Sequence, residues 1–126
     1  GHVTGVQTCA LPISQLAARA GYPAYSPDTC LINKYSVGSK MGMHQDRDER
    51  DFRQPIVSVS LGLPIMFKFG GTSRTGPSVK VRLTHGDVIV FGGVGRLAFH
   101  GVGTLRAGSH PLAGACRYNL TFRVAR

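Results

Sequence analysis

Hydrophobic positions along this chain fall into short runs rich in β-branched and aromatic residues, broken by Gly, Pro, Asn and Asp. The runs are Cys30–Tyr35, Lys40–Asp46, Ile56–Leu61, Ile65–Phe69, Val79–Leu83, Val88–Phe91, Leu97–Gly101 and Arg117–Val124. Spaced about ten residues apart, with no helical period between them, they predict the antiparallel strands of a sandwich or barrel. One stretch departs from this pattern. Leu16, Ala17, Ala18, Arg19 and Ala20 favour a short helix, which Gly21 and Pro23 end. Tyr22–Asp28, with its two prolines, reads as a loop, and the mixed-charge stretch Gln45–Gln54 as a solvated loop between strands. The turns His85-Gly86-Asp87 and Gly92-Gly93 can supply the positive φ that hairpins need. The expected fold class is therefore mainly all-β, with a short N-terminal helix.

Composition narrows the picture. A chain of 126 residues, 42% of them hydrophobic, suits one domain, and its 17 glycines and seven prolines show no repeat period. No apolar run approaches the roughly 20 residues of a membrane span, so a soluble protein is expected. Lys and Arg number 15 against six Asp and Glu, a net charge of +9 that favours a polyanionic partner, nucleic acid first. The three cysteines, Cys9, Cys30 and Cys116, make an odd count without CxxC spacing. That argues against a disulfide framework or a zinc site and for a reducing, cytoplasmic setting. Cys30 and Cys116, at the starts of strand-like runs, read as small buried hydrophobes. Residues 1–14, GHVTGVQTCALPIS, look like the translation of a sequencing adapter and are read as non-native, which leaves His2 and Cys9 without a function and residues 15–126 as the core.

Candidate chemistry begins at His44 and Asp46. Side chains i and i+2 share a strand face, so an imidazole and a carboxylate can converge on one metal, although such a pair can equally be two polar loop residues. A second imidazole is required, and His100, in the run LAFHG, is the candidate. Two His and one carboxylate on one face of an octahedron suit ferrous iron that must also bind a chelating cosubstrate and oxygen. His85 and His110 read instead as turn or surface residues. In the last strand, alternation places Arg117, Asn119, Thr121 and Arg123 on one face and Tyr118, Leu120 and Phe122 on the other. That polar face either meets water or lines a barrel, where buried guanidiniums would need an anion such as a small dicarboxylate.

The combination HxD…H with RxNxTxR, 17 positions past the second His, resembles the AlkB-type Fe(II)/2-oxoglutarate dioxygenases. The resemblance runs from about Gln15 to Arg123 and takes in CLINKY, HQDRDE, PIVSVSLGLP, HGDVIVFGG and CRYNLTFR. It implies a double-stranded β-helix, or jelly roll. It implies iron(II) on His44, Asp46 and His100, and 2-oxoglutarate with its far carboxylate on Arg117, aided by Tyr35 and Asn33. Asn119 and Arg123 would lie toward the keto-acid end, with Thr121 on the same face. Asp48 would contact the damaged base and Arg74 the nucleotide, although each also reads as a plain surface residue. The implied reaction is oxidative dealkylation of N-alkylated bases in DNA, consuming O2 and 2-oxoglutarate, on a single strand or a flipped base. No membrane or obligate protein partner is implied. RNA, protein or small-molecule substrates stay open, as does a basic nucleic-acid-binding fragment without activity. The family's aromatic N-terminal lid has no counterpart here, and the chain has no Trp.

Overall fold

The computed structural model describes residues 2–3, 13–47 and 51–125. Nine strands are described: β1 (His2–Val3), β2 (Thr29–Ser36), β3 (Met41–His44), β4 (Ile56–Gly62), β5 (Ile65–Phe69), β6 (Val79–Leu83), β7 (Val88–Phe91), β8 (His100–Val102) and β9 (Cys116–Arg123). A helix, α1 (Ile13–Arg19), and a 3-10 turn at Gly93–Gly95 complete the elements. Every strand pairing is antiparallel, in a five-stranded sheet β1-β7-β4-β9-β2 and a four-stranded sheet β3-β8-β5-β6. The two sheets face one another in the jelly-roll arrangement expected from the sequence. Among the described residues no helix is long and apolar enough to cross a membrane.

The strands alternate so that the five-stranded sheet is covered on both faces. Toward the other sheet it sends Tyr35, Ile56 and Phe91, which pack with Ile65, Phe67, Leu83 and Leu105. From its opposite face Val57, Val88 and Val90 meet Leu16 and Ala17 of α1 and the ring of Tyr25. Fully burying side chains of this size stabilises by about 1.5–3 kcal/mol each, which is why so short a helix holds its place. The helix starts at Ile13 rather than Leu16, because the Ile13 side chain also packs into this second cluster. It thus begins inside the segment read as non-native, and β1 adds to the edge strand β7 within the same segment.

Several expectations are corrected by packing. The run Lys40–Asp46 is a strand only over Met41–His44, because the register on β8 shifts between those two residues and the Gln45 amide turns to donate to the Leu97 carbonyl at 2.7 Å. The run Leu97–Gly101 becomes strand only from His100, since the 3-10 turn still holds the Ala98 amide through Gly95. Gly86 has the positive φ anticipated (89°) and so does Gly93 (57°), whereas Gly92 is extended at −154°. Cys30 is exposed and Cys116 half-buried, not the core residues expected. The reason for Cys30 is its strand: β2 is a sheet edge, and residues 29–32 are exposed on both faces.

Candidate active site

Facing β3 and β8 are paired directly at His44 and His100, so the two imidazoles leave adjacent strands side by side, ring centroids 4.4 Å apart. Asp46 follows β3 and folds back beneath them; its Oδ2 is 3.3 Å from His100 Nε2. One ligand-type atom from each of His44, Asp46 and His100 lies within 4.8 Å of the others, the spacing that a shared metal ion needs. The tautomers suit that use. His44 Nδ1 donates to the Gly42 carbonyl at 2.8 Å and His100 Nδ1 to the Ala98 carbonyl at 3.2 Å, which leaves Nε2 of each ring as the ligand atom. Phe91 and Phe67 stack on His100 and fix its plane.

Asp46 is buried, which by itself would raise its pKa. The hydrogen bond from His100 and the Arg123 charge, with the two imidazoles behind them, outweigh burial and hold the carboxyl below the usual range. The carboxylate is thus ionised at neutral pH, as a metal ligand must be. Arg123 Nη2 contacts its Oδ1 at 3.2 Å, which orients the group from behind. Two imidazoles and one carboxylate are the donor set of non-haem iron(II) sites with open positions, so these residues fit that metal.

Beside this group the polar face of β9 turns inward. Arg117 is 2% exposed and Asn119 and Thr121 are buried, whereas Tyr118 and Leu120 on the other face are only half-buried. The choice left open by alternation is settled: the polar face lines the space between the sheets. The six residues Asn33, Tyr35, Arg117, Asn119, Thr121 and Arg123 line one cavity of about 340 Å³ together with the His–Asp–His group. Arg117 Nη2 donates to Ser60 Oγ at 3.0 Å, and its guanidinium carbon sits 5.0 Å from the Tyr35 ring centroid. Its Nε and Nη1 are buried without a hydrogen-bond partner. Burial pulls its pKa down from the ordinary guanidinium value, with the Tyr35 phenol opposing. A buried cation with two idle donors is a large cost unless an anion completes it, and the planar fork matches a carboxylate. A dicarboxylic keto acid therefore fits the slot.

Not every anticipated residue is brought in. Arg74 is exposed, outside the cavity lining, with its guanidinium 5.5 Å from the Phe99 ring centroid. Asp48 lies outside the described residues. His85 and His110 are not among the cavity-lining residues, but they are not idle surface groups. Their rings lie 4.5 Å apart, His85 Nδ1 accepts the Gly62 amide, and His110 Nδ1 accepts those of Leu112 and Ala113.

Four residues went unnoticed in the sequence. Ser58 and Ser60 on β4 hold Asn119 and Arg117; Gln45 and Arg96 tie the Asp46 segment to the approach to His100. Ser58 and Ser60 alternate as PIVSVSLG, a polar face on a strand with no exposed residue, which is a signal that could have been read.

Gly101 sets the approach of β3 to β8: a Cβ there would lie 2.7 Å from the Met41 carbonyl oxygen and 2.9 Å from that of Gly42. Gly101→Ala is expected to force β3 outward and draw His44 from His100. Mn(II) titration followed by electron paramagnetic resonance should show affinity lowered roughly 10–100-fold, the range for disturbed ligand support; an unchanged affinity would show that the strand spacing does not matter.

The 2OG-Fe(II) oxygenase superfamily model matches residues 5–123, and the chain belongs to that superfamily. Within it the likeness is to the AlkB type. The chain is 59% identical over 109 residues to the alpha-ketoglutarate-dependent dioxygenase AlkB of Escherichia coli, covering 86% of this chain and 50% of that protein. It is 39% identical over 112 residues to the DNA N(6)-methyladenine demethylase ALKBH1D of Arabidopsis thaliana, covering 80% and 25%. Among solved structures OsALKBH1 superposes with a TM-score of 0.72 at 40% identity, over 78% of this chain and 50% of the other. The chain thus spans about half the length of AlkB from Escherichia coli. Superfamily membership implies iron(II), 2-oxoglutarate and O2 as the reaction's requirements.

Proposed function

We propose that residues 15–126 are the catalytic core of a cytoplasmic Fe(II)/2-oxoglutarate-dependent dioxygenase that removes alkyl groups from N-alkylated bases of nucleic acid, with DNA the preferred substrate. The observation that carries the oxygenase reading is the buried Arg117 with two idle donors in the same cavity as His44, Asp46 and His100. In this reading His44, Asp46 and His100 hold the iron. Arg117 pairs with the far carboxylate of 2-oxoglutarate, with Tyr35 and Asn33 beside it. Asn119, Thr121 and Arg123 shape the wall between carboxylate and metal, and Arg123 also holds Asp46. Held there, iron and 2-oxoglutarate would supply an oxidation that consumes O2, yields succinate and CO2 and hydroxylates the alkyl carbon, so that the alkyl group is lost as an aldehyde and the unalkylated base stays in the strand. The chain's own part is to orient both ligands and keep water from the slot.

Two observations support nucleic acid as the substrate class: the +9 charge, and the relatives whose names include a DNA demethylase. An alkyl group on a Watson–Crick nitrogen is out of reach in a duplex, so the base is taken from a single strand or flipped out. Asp48 and Arg74, both beside the cavity elements in sequence, are the residues proposed to meet it. The test is 2-oxoglutarate turnover with iron, O2 and a single-stranded oligonucleotide methylated on such a nitrogen. Stimulated turnover with release of formaldehyde, weakening steeply with salt, is expected. Turnover indifferent to the methylated DNA would overturn repair, stimulation by methylated RNA alone would move the substrate to RNA, and DNA binding without any turnover would leave only a binding module.

A further inference from the structure

Arg96 is 3% exposed, does not line the cavity that holds the His–Asp–His group, and was given no role in the proposed reaction. Its guanidinium nonetheless grips both ends of the segment that carries the acidic ligand. Nη1 donates to the Asp46 carbonyl at 2.7 Å, and Nε donates to the Gln54 carbonyl at 2.9 Å. The ring of Phe52, within the same segment, lies under the guanidinium, 5.3 Å from its carbon to the centroid. The next residue repeats the stitch, since the Leu97 carbonyl accepts the Gln45 amide at 2.7 Å. Residues 96 and 97 lead directly into His100, and residues 45 and 46 follow directly on His44. The two stretches of chain that bear the three ligands are thus fastened to each other by side chain–backbone bonds rather than by sheet pairing, which stops at His44 and His100.

We propose that Arg96 is a positioning residue for the metal group: it sets where the Asp46 carboxylate stands relative to His100 by holding the Asp46 backbone. This rests on the iron-site reading of His44, Asp46 and His100. The bond goes to the carbonyl of the ligand residue itself, so it acts on the carboxylate's origin and leaves both carboxylate oxygens to Arg123 and His100. Only a planar fork with several donors in fixed directions can span two carbonyls and stack on a ring at once; a lysine ammonium cannot.

The experiment measures Mn(II) affinity of the full chain by electron paramagnetic resonance, with the thermal midpoint of the same samples followed by circular dichroism. Arg96→Lys keeps the charge and loses the fork, and is expected to lower Mn(II) affinity roughly 10–100-fold. Arg53→Ala, which removes an exposed side chain from the same segment, is expected to leave affinity unchanged. Methylguanidinium added to Arg96→Ala should restore part of the lost affinity at an unchanged thermal midpoint, a rescue that a purely structural role would not show. Should Arg96→Lys fail to fold, Gln45→Ala cuts the neighbouring stitch and should show the same loss at an unchanged midpoint. A lowered midpoint with wild-type Mn(II) affinity in these variants overturns the inference alone. A wild-type chain that binds no Mn(II) overturns it together with the iron-site reading.

Discussion

Arg117→Ala is expected to raise the 2-oxoglutarate requirement by two to three orders of magnitude while leaving Mn(II) affinity within a few fold of wild type. The size follows from burial. Deleting one partner of a buried, hydrogen-bonded charge pair costs about 3–5 kcal/mol, and each 1.4 kcal/mol is tenfold in affinity. The selectivity follows from position, since Arg117 bonds Ser60 and faces Tyr35 but makes no hydrogen bond to His44, Asp46 or His100. A second readout is independent of turnover. In the ligand-free chain Arg117 is a buried cation with Nε and Nη1 idle, so Arg117→Met, of similar length and uncharged, should melt no lower than wild type. Adding 2-oxoglutarate with Mn(II) should then raise the wild-type midpoint but hardly move the variant, because stabilisation by a ligand scales with its occupancy. Isothermal titration and thermal melts decide it. A variant that binds the keto acid as tightly as wild type would remove Arg117 from the slot, and the dicarboxylate reading with it.

His100→Ala should abolish measurable Mn(II) and iron(II) binding, whereas His85→Ala should leave both intact. Loss of an outer partner of a metal ligand already costs roughly 10–100-fold, and His100 supplies one of the three ligand atoms itself. His85 is a fair control because it is not inert. It accepts the Gly62 amide and packs on His110, so His85→Ala should lower stability by about 1 kcal/mol. The contrast separates metal binding from general damage. Equal losses of metal in the two variants would undo the ligand assignment, and retained binding in His100→Ala would do so outright.

The last strand shows why part of the site was legible and part was not. Arg117, Asn119, Thr121 and Arg123 alternate with Tyr118, Leu120 and Phe122, and a period of two assigns them to opposite faces whatever the fold. Periodicity carries no sign, however. It cannot say which face is covered, and here the outer face is partly covered too: Phe122 packs into the cluster of α1 and Tyr25, whose hydroxyl donates to the Phe122 carbonyl at 2.8 Å. His44 and Asp46 were visible as a pair, yet Asp46 reaches its place after the strand has ended, through bonds from Arg96 and Arg123 that come from far along the chain. Arg96 itself left no trace, because an Arg flanked by glycines and apolar residues gives no local sign that its partners are two distant carbonyls.

What the chain's order of residues determined by itself was local: where strands begin and end to within a few residues, which side chains share a face, the surplus of cations, and the residue types able to hold iron and a dicarboxylate. These follow from steric preference, side-chain alternation and acid–base character, all properties of neighbours in sequence. Which face of β9 is buried, how Cys30 comes to lie exposed on an edge, and how Arg96 joins the two ligand-bearing stretches were decided only when the sheets closed over one another. Burial and long-range hydrogen bonds depend on what arrives from elsewhere in the chain, and no window of adjacent residues contains it.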